Sequence, residues 1–426
     1  MKTLSLRMGS SLVWLVTAAI LLAAPWVFPG RFALTLLTQM GTLAIFALSY
    51  NMLLGQGGML SFGHAVYSGL GAYITVHAIN MLGKGAFPTP LPLLPLLGGL
   101  AGMFFGVLFG YVTTKRAGTT FAMISLGVGE LVYACVLMVP GFFGGEAGIS
   151  TNRSIGRPLF GLTFGPALQV YYLVAAWCFI CMLAMYGLTR TPLGRMANAV
   201  RDNPERVEFI GYDTQMVRFL QLVLSAFFAG VSGALSCINF EIVSAENVSA
   251  LRSGAVLLAS FIGGIPLFFG PVLGAVVFVL FVAALSGVTK AWLLYLGLFF
   301  CAMVLYAPGG VATLLLAQIG VARAGKFGRL ALPYAAGLAA CAAALAGLVG
   351  IVESVYRLSD STESTALVLA AIRTDATRAP VWIVSGFLLL GGLVALHYAR
   401  QLMAARWDEV QAQIKDAKMP AESKTG

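Results

Sequence analysis

The sequence predicts an all-α polytopic membrane protein, and three observations carry that prediction. Hydrophobic residues make up 59% of the 426 residues and charged residues only 10%, with a mean hydropathy of +0.90, whereas a soluble domain carries about 25% charged residues. Several apolar runs exceed the roughly 18 residues a helix needs to cross a bilayer. Lysine and arginine fall between these runs, where positive charge sets topology. The net charge of +10 forms no basic stripe interleaved with aromatics, so the expected surroundings are the lipid bilayer, with no nucleic acid.

Lys2 and Arg7 precede a first span, Leu12 to Phe28, which closes on Ala23-Ala24-Pro25. Small residues there fit a cleavable leader as well as a retained helix; retention gives the later spans a consistent orientation. A second run, Phe32 to Leu54, leads into GQGGMLSFGHAVYSGLGAY (Gly55 to Tyr73), in which Gly55, Gly58 and Gly63 accompany Gln56, Ser61 and His64. Two readings fit this stretch. Glycine permits an unwound segment lining a substrate path, and small residues equally permit two helices to close into a tight seam. His64 has no carboxylate, cysteine or second histidine at ligand spacing, so no metal site is expected. His77 reads as a hydrogen-bonded helix residue. Lys84 to Leu91 is a proline-rich turn, and Leu93 to Val112 spans back to Lys115-Arg116. Glu130 lies near the middle of the next span, Thr119 to Val139. A carboxyl at that depth is expensive and serves either a structural bond or transport.

Gly141 to Gly165 is a glycine-rich exterior segment. The span Pro166 to Leu188 holds Cys178 and Cys181, whose CxxC spacing at mid-span reads as packing rather than redox or zinc chemistry. The loop Thr189 to Asp213 carries Arg190, Arg195, Arg201 and Arg206 among four acidic residues. It is too polar for hydrocarbon, and its arginines assign it to the cytoplasm. Pro192 suits a helix first turn, Asn203-Pro204 breaks that helix before a second short one, and Gly211 suits a helix stop. Phe219 to Ile238 spans again, and Asn239 to Arg252 is exterior. Ser253 to Leu285 is interrupted by GGIPLFFGPVLG (Gly263 to Gly274); paired interruptions mark the path in some transporters. Leu293 to Tyr306 spans, and Pro308-Gly-Gly opens a cytoplasmic segment with Arg323, Lys326 and Arg329. Two more spans, Leu330 to Val352 and Val381 to Tyr398, flank an exterior linker with Arg357, Asp360, Glu363, Arg373 and Arg378. The charged tail from Arg400 is helical to about Lys418. This arrangement puts 17 of the 26 lysines and arginines inside, giving about twelve spans with both termini cytoplasmic.

No enzyme chemistry and no catalytic residue is expected. Gly320-VARA-Gly325-Lys326 has Walker A spacing, but Phe327 stands where Ser or Thr must hold magnesium, and no strand precedes it. No nucleophile elbow, HExxH or aqueous carboxylate pair occurs. Glu130 is the only acidic side chain near the middle of a span, a sparser set than ion-coupled carriers usually show. This tilts the reading toward a permease energised by another subunit and leaves a self-contained ion-coupled carrier as the alternative. Energy is therefore expected from another subunit, docked on the Thr189–Asp213 loop.

Four stretches, in order, carry a family resemblance. They are GQGGMLSFGHAVYSGLGAY; TFAMISLGVGEL (Thr120 to Leu131) with GGEAGIS (Gly144 to Ser150); TPLGRMANAVRDNPERVEFIGYD; and SGAVLLASFIGGIPLFFGPVLGA (Ser253 to Ala275). As a set they resemble the M-type membrane subunit of ABC importers for branched-chain amino acids. The resemblance implies an ABC importer permease core of about ten helices over residues 32–310. Residues 1–31 precede it with the first helix; residues 311–400 add a cytoplasmic segment and two C-terminal transmembrane helices; residues 401–426 form a charged cytoplasmic tail. The implied partners are a second permease subunit, two cytoplasmic ATPase subunits and a periplasmic substrate-binding protein, at a bacterial inner membrane. ATP and magnesium would be bound by the ATPases, leaving no cofactor in this chain. In the family the loop matching Thr191 to Gly211 forms coupling helices seated in a groove of the ATPase, which singles out Gly194, Arg195, Arg201, Glu205 and Gly211. The Gly55–Ala65 break would border the translocation path, giving Gly55, Gln56, Gly58, Ser61, Gly63, His64 and Glu130 as its residues. Ile265-Pro266-Leu267 departs from the small, polar residues usual at that turn. The same family includes permeases for urea, short amides and aromatic acids.

Overall fold

In the computed structural model the described residues are 2–83, 90–155, 163–287, 289–307, 309–323, 327–359, 366–369, 372–375 and 379–422. Most of the proline-rich turn, Arg157, Gly325, Lys326, Asp360, Glu363 and Arg378 lie outside them. The chain divides into two compact units, Met1–Leu285 with Leu298–Thr313, and Ser286–Gly297 with Leu314–Gly426.

The first unit begins with α1 (Lys2–Val27), α2 (Arg31–Asn51) and a π-helical turn, Met52–Gln56. After a non-helical stretch come α3 (Ala65–Gly83), α4 (Leu94–Thr113), α5 (Gly118–Met138), the short α6 (Pro140–Phe143) and β1 (Ile149–Ser150). Next are α7 (Ala167–Arg190), α8 (Pro192–Asp202), α9 (Pro204–Phe209), α10 (Thr214–Phe240), β2 (Ile242–Val243), α11 (Ala250–Gly263) and α12 (Gly270–Ser286). Residues of α13 (Trp292–Tyr306) and α14 (Gly310–Arg323) belong to both units. The segment after Pro308, expected as a cytoplasmic connector, is therefore largely an apolar helix.

Seven helices among the described residues are long and apolar enough to cross a membrane, or eight if Trp292–Tyr306 and Gly310–Ile319 count as one. The count falls below twelve chiefly at the breaks. Ala250–Gly263 and Gly270–Ser286 are apolar but short, as is Leu12–Val27.

The core of the first unit is built on α2 and α10, buried along most of their facing lengths. Small residues let α3, α4 and α10 touch at the backbone. A Cβ on Gly71 would lie 2.7 Å from Gly230 Cα and 2.8 Å from the Gly98 carbonyl. Hydroxyls then stitch helices to α2: Ser225 donates to the Ser49 carbonyl (2.6 Å), Ser232 to that of Thr42 (2.8 Å) and Ser260 to that of Ala47 (3.3 Å). Bonds of this kind contribute about 0.6–2 kcal/mol within membranes. The hydroxyl of Tyr171 ties α7 to α1 by donating to the Leu21 carbonyl (2.7 Å). Cys178 and Cys181 are buried free thiols in α7.

The two segments read as exterior close on one another. β1 pairs antiparallel with β2, Ile149 opposite Val243 and Ser150 opposite Ile242. The guanidinium of Arg153 donates to the carbonyls of Ile238 (3.2 Å), Asn239 (3.0 Å) and Gly165 (3.1 Å), and its backbone N–H to Glu241 Oε1 (2.9 Å). A cation at the end of α10 also opposes the helix dipole.

The second unit holds α15 (Phe327–Ser359), a hairpin of β3 (Ala366–Leu369) and β4 (Ile372–Asp375), and α16 (Ala379–Glu422), which carries the last span into the tail without a break. Gly350 packs on Ser385 and Gly392 on Ala344, joining α15 to α16. The span in α15 reaches Tyr356 and so takes in Glu353 near its end, one residue past the expected limit at Val352. Glu353 accepts from Thr289 (2.5 Å) and Tyr295 (3.4 Å).

Candidate functional site at the first membrane break

From Gly57 to His64 the chain is not helical, and non-helical backbone at membrane depth persists only where other protein groups satisfy it. Several of the freed groups here find partners on other helices. Ser125 of α5 accepts the N–H of Phe62 (3.1 Å), Ser253 of α11 accepts that of Ala65 (3.0 Å), and Tyr50 of α2 donates to the Ser61 carbonyl (3.1 Å). Gln221 of α10 donates to the Met52 carbonyl (2.9 Å) and to Gln56 Oε1 (3.3 Å). Gly63 lies against the backbone of α5, where any Cβ would overlap the Ser125 carbonyl. The stretch is an interrupted helix, and its glycines are where neighbours press closest.

His64 is fully buried, stacked on Phe46 (5.5 Å) with Tyr50 and Tyr67 edge-on. The Ser49 hydroxyl lies 2.7 Å from the Phe46 carbonyl and 3.1 Å from His64 Nε2. Nδ1 of His64 has no partner among the described residues. His77, as expected, is hydrogen-bonded, with Nε2 2.8 Å from the Phe142 carbonyl.

Two further elements converge on the break. Ile265, in the turn between α11 and α12, lies 3.1 Å from where a Gly55 Cβ would stand, so the two glycine interruptions meet. Arg201, at the end of α8, donates to the Gly55 carbonyl from Nη1 and packs its Cγ against Gly58, whose φ of +64° favours glycine. Gly55, Gln56, Gly58 and Arg201 are therefore neighbours; Ser61, Gly63 and His64 continue the same stretch into the core. Glu130 stands apart: it is exposed, on the face of α5 away from Ser125 and Gly129.

Local chemistry fixes the elbow between α7 and α10. Thr191 caps α8 by accepting the Gly194 N–H (3.3 Å), and Asn203 caps α9 by accepting that of Arg206 (3.0 Å). Gly194 abuts the Leu188 carbonyl, leaving no room for a side chain, and Gly211 takes φ +88°. Ala197, Val200, Val207 and Val217 form a small core under the elbow. Arg195 and Glu205 point outward, and Phe209, Ile210 and Tyr212 are 90%, 62% and 51% exposed. That apolar trio, together with Gln221, Ser125 and Ser253, escaped the sequence reading. The available signal was polarity out of register: apolar residues in a polar loop, and polar residues inside apolar spans.

The family described as branched-chain amino acid transport system / permease component matches residues 32–308. The chain is 27% identical to the high-affinity branched-chain amino acid transport system permease protein LivM of Escherichia coli (strain K12), over 70% of this chain and 74% of that protein. It is 24% identical to the corresponding protein BraD of Pseudomonas aeruginosa, over 56% of this chain and 80% of that protein. It is also 28% identical to the fructose import permease protein FrcC of Rhizobium meliloti, over 54% of this chain and 63% of that protein. No solved structure matches it. With the match running from the start of α2 through the break, the elbow and α13, this chain belongs to the branched-chain amino acid transport permease family.

Proposed function

We propose that the chain is the membrane-spanning permease subunit of an ATP-driven importer for branched-chain, hydrophobic amino acids in a bacterial inner membrane, with both termini cytoplasmic. A second permease subunit completes the path, two cytoplasmic ATPases bind ATP and magnesium, and a periplasmic binding protein delivers substrate. The observation that carries this reading is the elbow. It is capped at both helices, has a small core of its own, and exposes Arg195 on α8 and Glu205, Phe209 and Ile210 on and after α9. Aromatic and arginine residues in one patch are the composition of a binding hot spot. ATP binding closes the ATPases, the elbow follows, and the break beside it changes the access of the path.

The test is uptake of radiolabelled leucine by a deletion strain, with the tagged chain used to co-purify its partners. Lost leucine uptake and recovered ATPase subunits are expected. Unaffected leucine uptake with lost uptake of urea, a short amide, an aromatic acid or a sugar would reassign the substrate. Failure to recover any ATPase would remove the importer reading itself.

A further inference from the structure

We propose that Arg201 is the residue through which the elbow moves the first membrane break, so that α8 and the turn from Met52 to Gly58 travel as one body. The inference rests on the reading of α8 and α9 as the ATPase-facing elbow, and adds to it the point at which motion enters the membrane.

The guanidinium is divided between two tasks. Asp202 Oδ1 holds Nε and Nη2, each at 2.9 Å, which turns Nη1 toward the Gly55 carbonyl that it bonds. Gly55 belongs to the last turn before the chain unwinds. Carbonyls at a helix end lack intrahelical partners and carry partial negative charge, so a fixed cation there is favoured. The stem of Arg201 matters as well. Gly58 leaves it room, because a Cβ at that position would lie 2.7 Å from Arg201 Cγ and 3.4 Å from Arg201 Cβ. The link thus combines a charge-assisted bond with a close packing contact, and both fall on the break. Gln221 also reaches this turn, but it bonds the Met52 carbonyl from α10 rather than from the elbow. A lysine could supply charge but not the fork that Asp202 orients.

Two measurements test the inference. In the first, the complete importer is reconstituted in proteoliposomes and leucine uptake is compared with ATP hydrolysed. In Arg201→Met uptake per ATP hydrolysed is expected to fall at least tenfold, and in Arg201→Lys to fall between that and the parent. An unchanged ratio in Arg201→Met overturns the proposal. The second reads the geometry directly by cross-linking, in a double-cysteine importer first checked for assembly and ATP hydrolysis. Replacing Gly58 and Arg201 with cysteine, in a chain whose native cysteines are removed, sets two Cβ atoms about 3.4 Å apart, close to the roughly 3.5–4.5 Å of a disulfide. With α8 and the break moving together, the disulfide forms under mild oxidation at the same rate in the nucleotide-free and vanadate-trapped importer. The oxidised protein then shows higher uptake per ATP than the same protein reduced, because a covalent link replaces the lost one. Failure to cross-link, a rate that changes more than threefold on trapping, or inhibition on oxidation each overturns it. A wild-type chain that lacks bound ATPase counts against the functional reading instead; one that hydrolyses ATP without leucine uptake reassigns the substrate, and the cross-linking rates in the two states still decide the role of Arg201.

Discussion

Single hydroxyls and single hydrogens decide whether the break is a usable structure. Ser253 accepts the Ala65 N–H at the point where α3 begins. Ser253→Ala leaves a buried amide unpaired, at about 1–3 kcal/mol, and is expected to lower the melting temperature of the purified protein. Ser253→Thr, which keeps the acceptor, is expected to lower it less. Gly63 tests the opposite fault. Gly63→Ala places a methyl group on the Ser125 carbonyl, and overpacking of this sort costs about 1–3 kcal/mol. The expected readout is lower stability and a poorer yield of monodisperse protein, and equal stability of Gly63→Ala and parent would contradict the packing described here. His64 is governed by its surroundings too. Its place among Phe46, Tyr50 and Tyr67 makes it a buried part of the helix core rather than an open polar contact.

At the level of the element, α8 and α9 owe their boundaries to local chemistry and their position to a distant partner. Thr191→Ala and Asn203→Ala each remove a helix cap, a loss of about 1 kcal/mol. Both are expected to weaken ATPase co-purification without preventing insertion. Arg195→Glu and Phe209→Ala change only the outward side, and each is expected to lower ATPase recovery at least fivefold while protein yield is retained; unchanged recovery in both would move the docking surface elsewhere. The boundaries were legible in the sequence because Pro192, Asn203-Pro204 and Gly211 act within a few residues of themselves. The contact between Arg201 and Gly55 was not, since 146 residues separate the pair and no periodicity connects them. The pairing of β1 with β2 was hidden for another reason: two-residue strands leave no alternation to read. Glu353 was missed because the apolar run stops at Val352 while the helix continues to Ser359.

For the molecule as a whole, the decisive expectation is dependence on others. Purified and placed in liposomes with a proton or sodium gradient, the chain is expected to take up no leucine; gradient-driven uptake by the chain alone would make it a carrier instead. Uptake is expected only with the ATPases, the second permease subunit and the binding protein present. One feature of the first unit gives this dependence a mechanical side. α10 starts at the Asp213 cap beside the elbow and ends under the Arg153 clasp, 27 residues later and unbroken. At about 1.5 Å per residue it is a rod roughly 40 Å long, pinned to a different loop system at each end. Such a rod acts as a seesaw beam. If the chain works as the proposed importer subunit, a nudge from a hydrolysing neighbour at the elbow end would re-tilt the clasped loops at the other end, so one helix would keep delivery of cargo in step with expenditure of nucleotide.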